Sequence, residues 1–322
     1  MAHGNSTLTD SSHVTEAYRA MVRPALREVV GRLHPDVVRA AGGCAHPDAE
    51  DEHGLCPALV LLSAAAVGGR ARDAVPGAVA VELARLFART HRGITGAGRG
   101  PGVPVRGVGP AVLAGDGFLA LALHTLAEST ALSLLSSALV DLVHGEASAA
   151  ALHGRPETVT VDAYTAASAR ARGALLGCAA GIGARLGGAP PDVVCRLTTA
   201  GRELGVVLHL ADDLAALGTG RPRPLSYPVL YALEAADGTA GELTDLLARA
   251  RTEHGAARFD EATGRRVADL ATRAGGVART RETARRQLDA VLRTVDAVSV
   301  APQPARRLTT LVRSAAERTH RP

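Results

Sequence analysis

The sequence predicts an all-α protein folded as a single domain, and three observations carry that prediction. Apolar residues recur at helical spacing in segment after segment, no segment alternates with β-branched residues between turn signals, and the breaks are short and rich in Gly and Pro. A chain of 322 residues that is 47% hydrophobic can bury a large core.

The elements follow in order. Residues 1–13, MAHGNSTLTDSSH, are polar and read as a disordered N-terminal segment, leaving 14–322 as the domain. Val14 to Ala41 carries apolar-periodic segments, with a helix start at Thr15-Glu16 and turns or kinks at Pro24 and Pro35. Pro57 to Val67 is a continuous apolar run, and Val75 to Thr90 is a second, begun near Pro76. Helices are then expected over Pro110 to Ser129, Ala131 to Leu152, Val161 to Leu186 and Pro191 to Leu217. Pro228 to Ala236, Gly241 to His254, Phe259 to Arg273, Thr280 to Val295 and Pro302 to Arg318 complete the set. The longest break, Gly93 to Gly109, has almost no apolar content and reads as a loop.

Composition excludes several function classes. The net charge of +4 is too mild and too evenly spread for nucleic-acid binding, and an aromatic content of 2% leaves little for base stacking. All 36 basic residues are Arg. Mean hydropathy is near zero, and no apolar run free of charge or breakers approaches the length of about 18 residues that a membrane span needs. Four Cys at irregular spacing do not form a disulfide framework, and the polar start is no signal peptide, so the cytoplasm is the expected compartment.

Charge stands out in one place, Gly201 to Leu217, GRELGVVLHLADDLAAL. Leu204, Val207, Leu208, Leu210, Ala211 and Leu214 recur at helical spacing, so adjacent Asp212 and Asp213 lie on a buried or half-buried helix. Two ionised carboxylates there are costly unless hydrogen-bonded, paired or bound to cations; the alternative is that they sit near the helix end and point into water. A Gly-rich loop, GTGRPRP, and a Pro-containing apolar helix, LSYPVLYALE, follow.

This order resembles the second aspartate-rich region of the trans-prenyltransferases, the polyprenyl diphosphate synthase family, whose pattern is FQxxDDxxD, a Gly/Lys loop and a Pro-initiated helix. Here it stands as Leu208-His209-Leu210-Ala211-Asp212-Asp213-Leu214-Ala215-Ala216, with His209 at the Gln position and Ala216 at the third acid. Further segments match the family in sequence order: PALVLLSAAAVGG from Pro57, VELARLFARTH from Val81, GVGPAVLAGDGFLALALHTLAE from Gly107, LVHGEASAAALHG, and ETVTVDAYTAASARARGALLGCAAGIGARLGG. The resemblance covers roughly Pro57 to Leu233. It implies an isoprenoid-synthase-like helical bundle, a dimer, and magnesium held at Asp212 and Asp213.

The departures from the family pattern decide the functional reading. The family's HDDxxD motif, which holds magnesium against an allylic diphosphate, is here His91-Arg92-Gly93-Ile94-Thr95-Gly96, with the His kept and every Asp gone. The GGKRLRP counterpart is Glu52-His53-Gly54-Leu55-Cys56-Pro57, the Lys-Thr pair is Ala171-Arg172, and GQxxD is Gly145-Glu146-Ala147-Ser148-Ala149. Diphosphate leaves readily only when hard cations held by carboxylates neutralise its charge. One unit charge at about 4 Å is worth roughly 4 kcal/mol at an effective dielectric of 20, so losing several Asp and adding Arg92 opposes metal loading strongly. Chain elongation by this chain alone is not expected.

Three readings follow. The chain is a non-catalytic family member that pairs with an active prenyl diphosphate synthase, which the sequence favours. Alternatively it is a repurposed enzyme, a prenyltransferase or a class I terpene synthase-like lyase, using Asp212, Asp213 and Glu203 with a reduced magnesium set. The third reading is a metal-free prenyl diphosphate binder in which Arg89, His91, Arg92, Arg99 and Arg106 supply the counter-charge, guanidinium being well shaped for phosphate oxygens. The bland account of those Arg residues is a solvated loop. Separately, Cys44, His46, His53 and Cys56 crowd one short stretch that could meet a zinc ion, although their spacing matches no established zinc module. Cys178 and Cys195 read as small core residues, and His209 as a local hydrogen-bond partner of the Asp pair.

Overall fold

The computed structural model describes residues 20–40, 54–94, 108–153, 158–235, 238–253 and 259–318. Every regular element among them is a helix, as expected. Residues 20–30 form α1, and Pro24 lies within it without ending it, whereas Pro35 opens α2 (Pro35–Ala40). Then come α3 (Leu55–Ala66), α4 (Val75–Ile94), α5 (Val108–Thr125), α6 (Leu132–His153), α7 (Val161–Ala171), α8 (Gly173–Leu186) and α9 (Pro191–Gly218). The chain continues through α10 (Tyr227–Leu233), α11 (Thr239–Glu253), α12 (Glu261–Arg273), α13 (Gly276–Val298) and α14 (Pro302–Arg318).

The helix boundaries follow the breakers and caps to within a few residues, with two differences. Residues 93–94 and 108–109, expected in a loop, are helical, and residues 95–107 lie outside the described set. The expected single helix over Val161 to Leu186 is broken at Arg172. The break coincides with a close approach: a β-carbon added at Gly173 would lie 2.6 Å from the Arg202 carbonyl oxygen of α9. Thr160 starts α7 by accepting the Ala163 amide at 3.2 Å, and Asp260 starts α12 by accepting the Thr263 amide at 2.8 Å.

The chain divides into two compact units, each discontinuous in sequence. The first comprises Met1–Leu139, Leu175–Gly201 and Thr294–Leu311. In it α3 packs on α4 and α4 on α5, around a core that includes Leu61, Leu62, Leu83, Phe118 and Ile182. Close packing of α8 on α3 depends on Gly183, where a β-carbon would come within 2.2 Å of the Val60 carbonyl. By length and composition α5 is apolar enough to cross a membrane, alone among the described helices. Ala111, Ala114, Phe118, Leu121 and Ala122 on it are buried in the unit, so much of that apolar surface serves as core.

The second unit comprises Val140–Ala174, Arg202–Arg293 and Val312–Pro322. Here α10 packs on α7, α11 and α12. Leu217, Val229, Leu243, Leu247, Val267 and Leu270 form one apolar cluster, and Tyr164, Leu210, Leu225, Tyr227, Leu230 and Tyr231 form another. Gly145 has a packing use, since a β-carbon there would stand 2.2 Å from the Ala171 nitrogen. Gly205 likewise lets α9 lie on the start of α8, where its β-carbon would be 2.5 Å from the Gly173 Cα.

Candidate functional site

The Asp pair lies on the second half of α9, and the two carboxylates face different environments. Asp213 is fully buried, with 0% of its side chain exposed. Its Oδ1 accepts from Arg223 Nη1 at 3.0 Å, and its Oδ2 accepts from the Tyr164 hydroxyl and the Tyr227 backbone N–H, each at 3.1 Å. A carboxylate taken out of water costs several kcal/mol, and this one is compensated by a guanidinium and two further donors. Asp212, about a quarter exposed, accepts from Arg172 Nη1 at 2.5 Å. Each retained acid therefore carries an Arg of the same chain as its counter-charge.

A polar core surrounds Asp213. The Tyr164 hydroxyl lies 2.9 Å from His209 Nε2, 3.1 Å from Asp213 Oδ2 and 3.2 Å from the Leu225 carbonyl. It has one proton to give. When that proton goes to the carboxylate, His209 brings an Nε2–H to the Tyr164 oxygen, and Ser168 Oγ, 2.7 Å from Nδ1, donates to the imidazole. Ser168, His209, Tyr164 and Asp213 thus form one buried chain of hydrogen bonds, in which His209 reaches Asp213 through the Tyr164 hydroxyl. The Tyr227 hydroxyl is buried beside those of Thr165 and Ser168, and burial pushes its ionisation well above the usual range for tyrosine.

Magnesium does not fit this pair as it stands. Octahedral magnesium needs oxygens that can turn to it, and both Asp213 oxygens are committed to protein donors inside the core. Among the described residues no three His, Cys, Asp or Glu side chains are grouped to hold a metal. Glu203, on the same helix, is half-buried, and burial raises its pKa above the usual carboxylate value.

His91 and Arg92, the residues that the sequence resemblance sets at the start of the first aspartate-rich motif, lie in the last turn of α4. His91 Nδ1 is 3.1 Å from the Phe87 carbonyl, which fixes that nitrogen as the donor and turns Nε2 outward, 3.7 Å from Asp116 Oδ1. The ring rests on the α5 backbone, because a β-carbon at Gly115 would lie 2.3 Å from His91 Cε1. Arg92 is half-buried beside it. Arg99, Arg106, Cys44, His46 and His53 lie outside the described residues. Cys56 and Cys178 are buried, but Cys195, expected in the core, is exposed on α9.

Sequence reasoning placed Asp212, Asp213 and His209 on one helix and missed what holds them. Arg223 sits in a loop with no periodicity to reveal its direction. Tyr164 could have been found, for the chain has only four Tyr, and three of them share one cluster.

The polyprenyl synthetase family profile matches residues 92–262, more than half of the chain, and the protein belongs to that family. A geranylgeranyl diphosphate synthase of Mycobacterium tuberculosis is 35% identical over 213 residues, covering 59% of this chain and 61% of the relative. A (2E,6E)-farnesyl diphosphate synthase of Mycobacterium bovis is 31% identical over 230 residues, covering 65% and 63%. The chain spans somewhat over three fifths of the length of these curated relatives. The crystal structure of a polyprenyl synthetase from Streptomyces coelicolor A3(2) superposes with a TM-score of 0.84 at 30% identity, covering 94% of this chain and 98% of that one. A polyprenyl synthase from Caulobacter crescentus, complexed with calcium and isoprenyl diphosphate, shares the fold at a TM-score of 0.80 and 20% identity, covering 98% of each chain. The fold is the all-α isoprenoid synthase fold, and the chain is a polyprenyl synthase family protein of isoprenoid metabolism.

Proposed function

We propose that this chain is a non-catalytic member of the family that works in the cytoplasm as the partner subunit of an active prenyl diphosphate synthase. One observation carries the reading: the acids kept from the metal-binding motifs are neutralised from within, Asp212 by Arg172 and Asp213 by Arg223. At the end of α4 the acids are replaced by His91-Arg92-Gly93. A surface able to meet another subunit exists in each unit. Val108, Val112 and Leu113 are exposed on α5 in the first, and Val140 and Val143 on α6 in the second. Pairing with a second copy of this chain is the homodimeric form of the same contact.

A second reading, a repurposed enzyme acting on a prenyl diphosphate, is favoured by the 35% identity to a protein named as a synthase. In that case Asp212, paired with Arg172 and about a quarter exposed, is the acid of the pair nearer to solvent. The test is co-expression with a synthase that has both aspartate-rich motifs intact, followed by native mass measurement and product analysis. The expected result is a mixed dimer, and no elongation by this chain alone with magnesium, isopentenyl diphosphate and an allylic diphosphate. Turnover by the isolated chain, abolished by Asp212→Ala, overturns the partner reading. Binding of geranylgeranyl diphosphate without magnesium, weakened by Arg92→Ala, supports instead a metal-free binder using His91, Arg92 and Arg99.

A further inference from the structure

We infer that Asp213 is a positioning residue: its carboxylate locks the segment 219–226 onto α9 and starts α10, a task that excludes it from binding a divalent cation. The segment is unusual for a connection between helices, because Pro222, Pro224, Leu225 and Ser226 in it are buried. It leaves α9 through Gly220, whose φ of 70° falls in the left-handed region, and passes beneath α12. There a β-carbon at Gly264 would lie 2.9 Å from the Gly220 carbonyl oxygen and 3.4 Å from Pro222 Cδ. Buried irregular backbone must find hydrogen-bond partners other than a neighbouring helix turn.

Asp213 and its neighbours supply those partners. Arg223, 18% exposed, is held through its guanidinium. The Leu225 carbonyl lies 3.2 Å from the Tyr164 hydroxyl, so it shares that group's single proton with Asp213. Ser226 stands at the N-cap of α10, yet its hydroxyl turns back to the Arg223 carbonyl at 3.1 Å and makes no cap bond. The amide at the start of α10, that of Tyr227, is instead satisfied by Asp213 Oδ2, from a different helix. One carboxylate thus fixes the segment directly at Arg223 and Tyr227, with the Tyr164 hydroxyl that it orients lying against the Leu225 carbonyl between them. A cation at Oδ2, which already accepts two donors, would displace Tyr164 or the Tyr227 amide, and one at Oδ1 would face the Arg223 guanidinium, so cation binding at Asp213 opposes the closed segment. This inference does not depend on whether the chain works as a partner subunit.

Hydrogen exchange on the full chain tests this, read at the amides of residues 219–229, with α3 and α4 amides as an internal reference. In the wild type these amides are expected to be protected equally in magnesium chloride and in EDTA. Asp213→Asn and, separately, Arg223→Ala should each speed exchange across the segment by about tenfold or more while leaving the reference amides unchanged. Asp212→Asn should leave the segment as it is. The inference is overturned if magnesium raises wild-type protection in the segment and Asp213→Asn abolishes that rise, or if neither Asp213→Asn nor Arg223→Ala changes segment exchange. Should Asp213→Asn fail to fold, Arg223→Ala decides alone, since it leaves the carboxylate and the Tyr164 bond in place.

Discussion

The end of α4 and the second half of α9 differ in the charge that they present. At the end of α4 stand His91 and Arg92, with His91 held by the Phe87 carbonyl and the backbone at Gly115. On α9 the acids remain, and the protein has supplied Arg172 and Arg223 to hold them. Retention of a motif residue is therefore no evidence that its chemistry is retained. A carboxylate kept in a motif and one kept in a core look the same in sequence, and only the identity of its partners separates them.

The comparison is broken most directly at Asp213. If it is structural, Asp213→Ala strands a mostly buried Arg223 and removes acceptors from Tyr164 and the Tyr227 amide, with a loss of about 3–5 kcal/mol expected from broken buried pairs. Chemical denaturation measures it. A loss under about 1 kcal/mol would mean that the carboxylate is spare, as a catalytic acid in a preformed site often is.

Two tyrosines sharpen the point at smaller effect. Tyr164→Phe removes a hydroxyl bonded to a charged carboxylate and should cost about 1.5–3 kcal/mol. Tyr227→Phe removes a buried hydroxyl whose neighbours are the uncharged hydroxyls of Thr165 and Ser168, so its loss should be smaller, about 0.5–1.5 kcal/mol. Equal losses at both positions would show that ring packing, and not the hydrogen-bond network, explains the cluster. Arg172→Ala comes next: side-chain exposures of 34% and 23% put its pair with Asp212 near the solvent, where such pairs contribute about 1 kcal/mol or less.

The fold was legible because helices advertise themselves through apolar period and breakers, and α14 was expected with the same ends that it has, Pro302 and Arg318. The break at Arg172 was not legible, since it arises where Gly173 meets the Arg202 backbone, a contact between residues far apart in sequence. The site was half legible. Asp212, Asp213 and His209 are on one helix and could be placed by spacing, and the hydrogen bonds of His209 turned out to be made to Tyr164 and Ser168 of α7. Which cation faces each acid depended on where α7 and the 219–226 segment come to rest, and local pattern carries no record of that.

The smallest expected effect is at Glu203, also on α9, whose burial raises its pKa where Asp212 and Asp213 have Arg partners. A carboxyl whose folded pKa lies above its unfolded value binds protons more tightly in the native state. Its contribution to stability is complete below the unfolded pKa and is lost as pH rises through the folded pKa. At neutral pH the wild type therefore carries a penalty for holding this carboxylate half-buried, and Glu203→Gln removes it. The variant should melt at a higher temperature than the wild type at neutral pH, with the advantage fading toward the ordinary Glu range, about pH 4.3. Melting curves across that range decide the matter. An advantage of constant size would point to packing, and a variant less stable at neutral pH would mean that Glu203 is a working partner of a cation, which would revive a reduced metal set on α9.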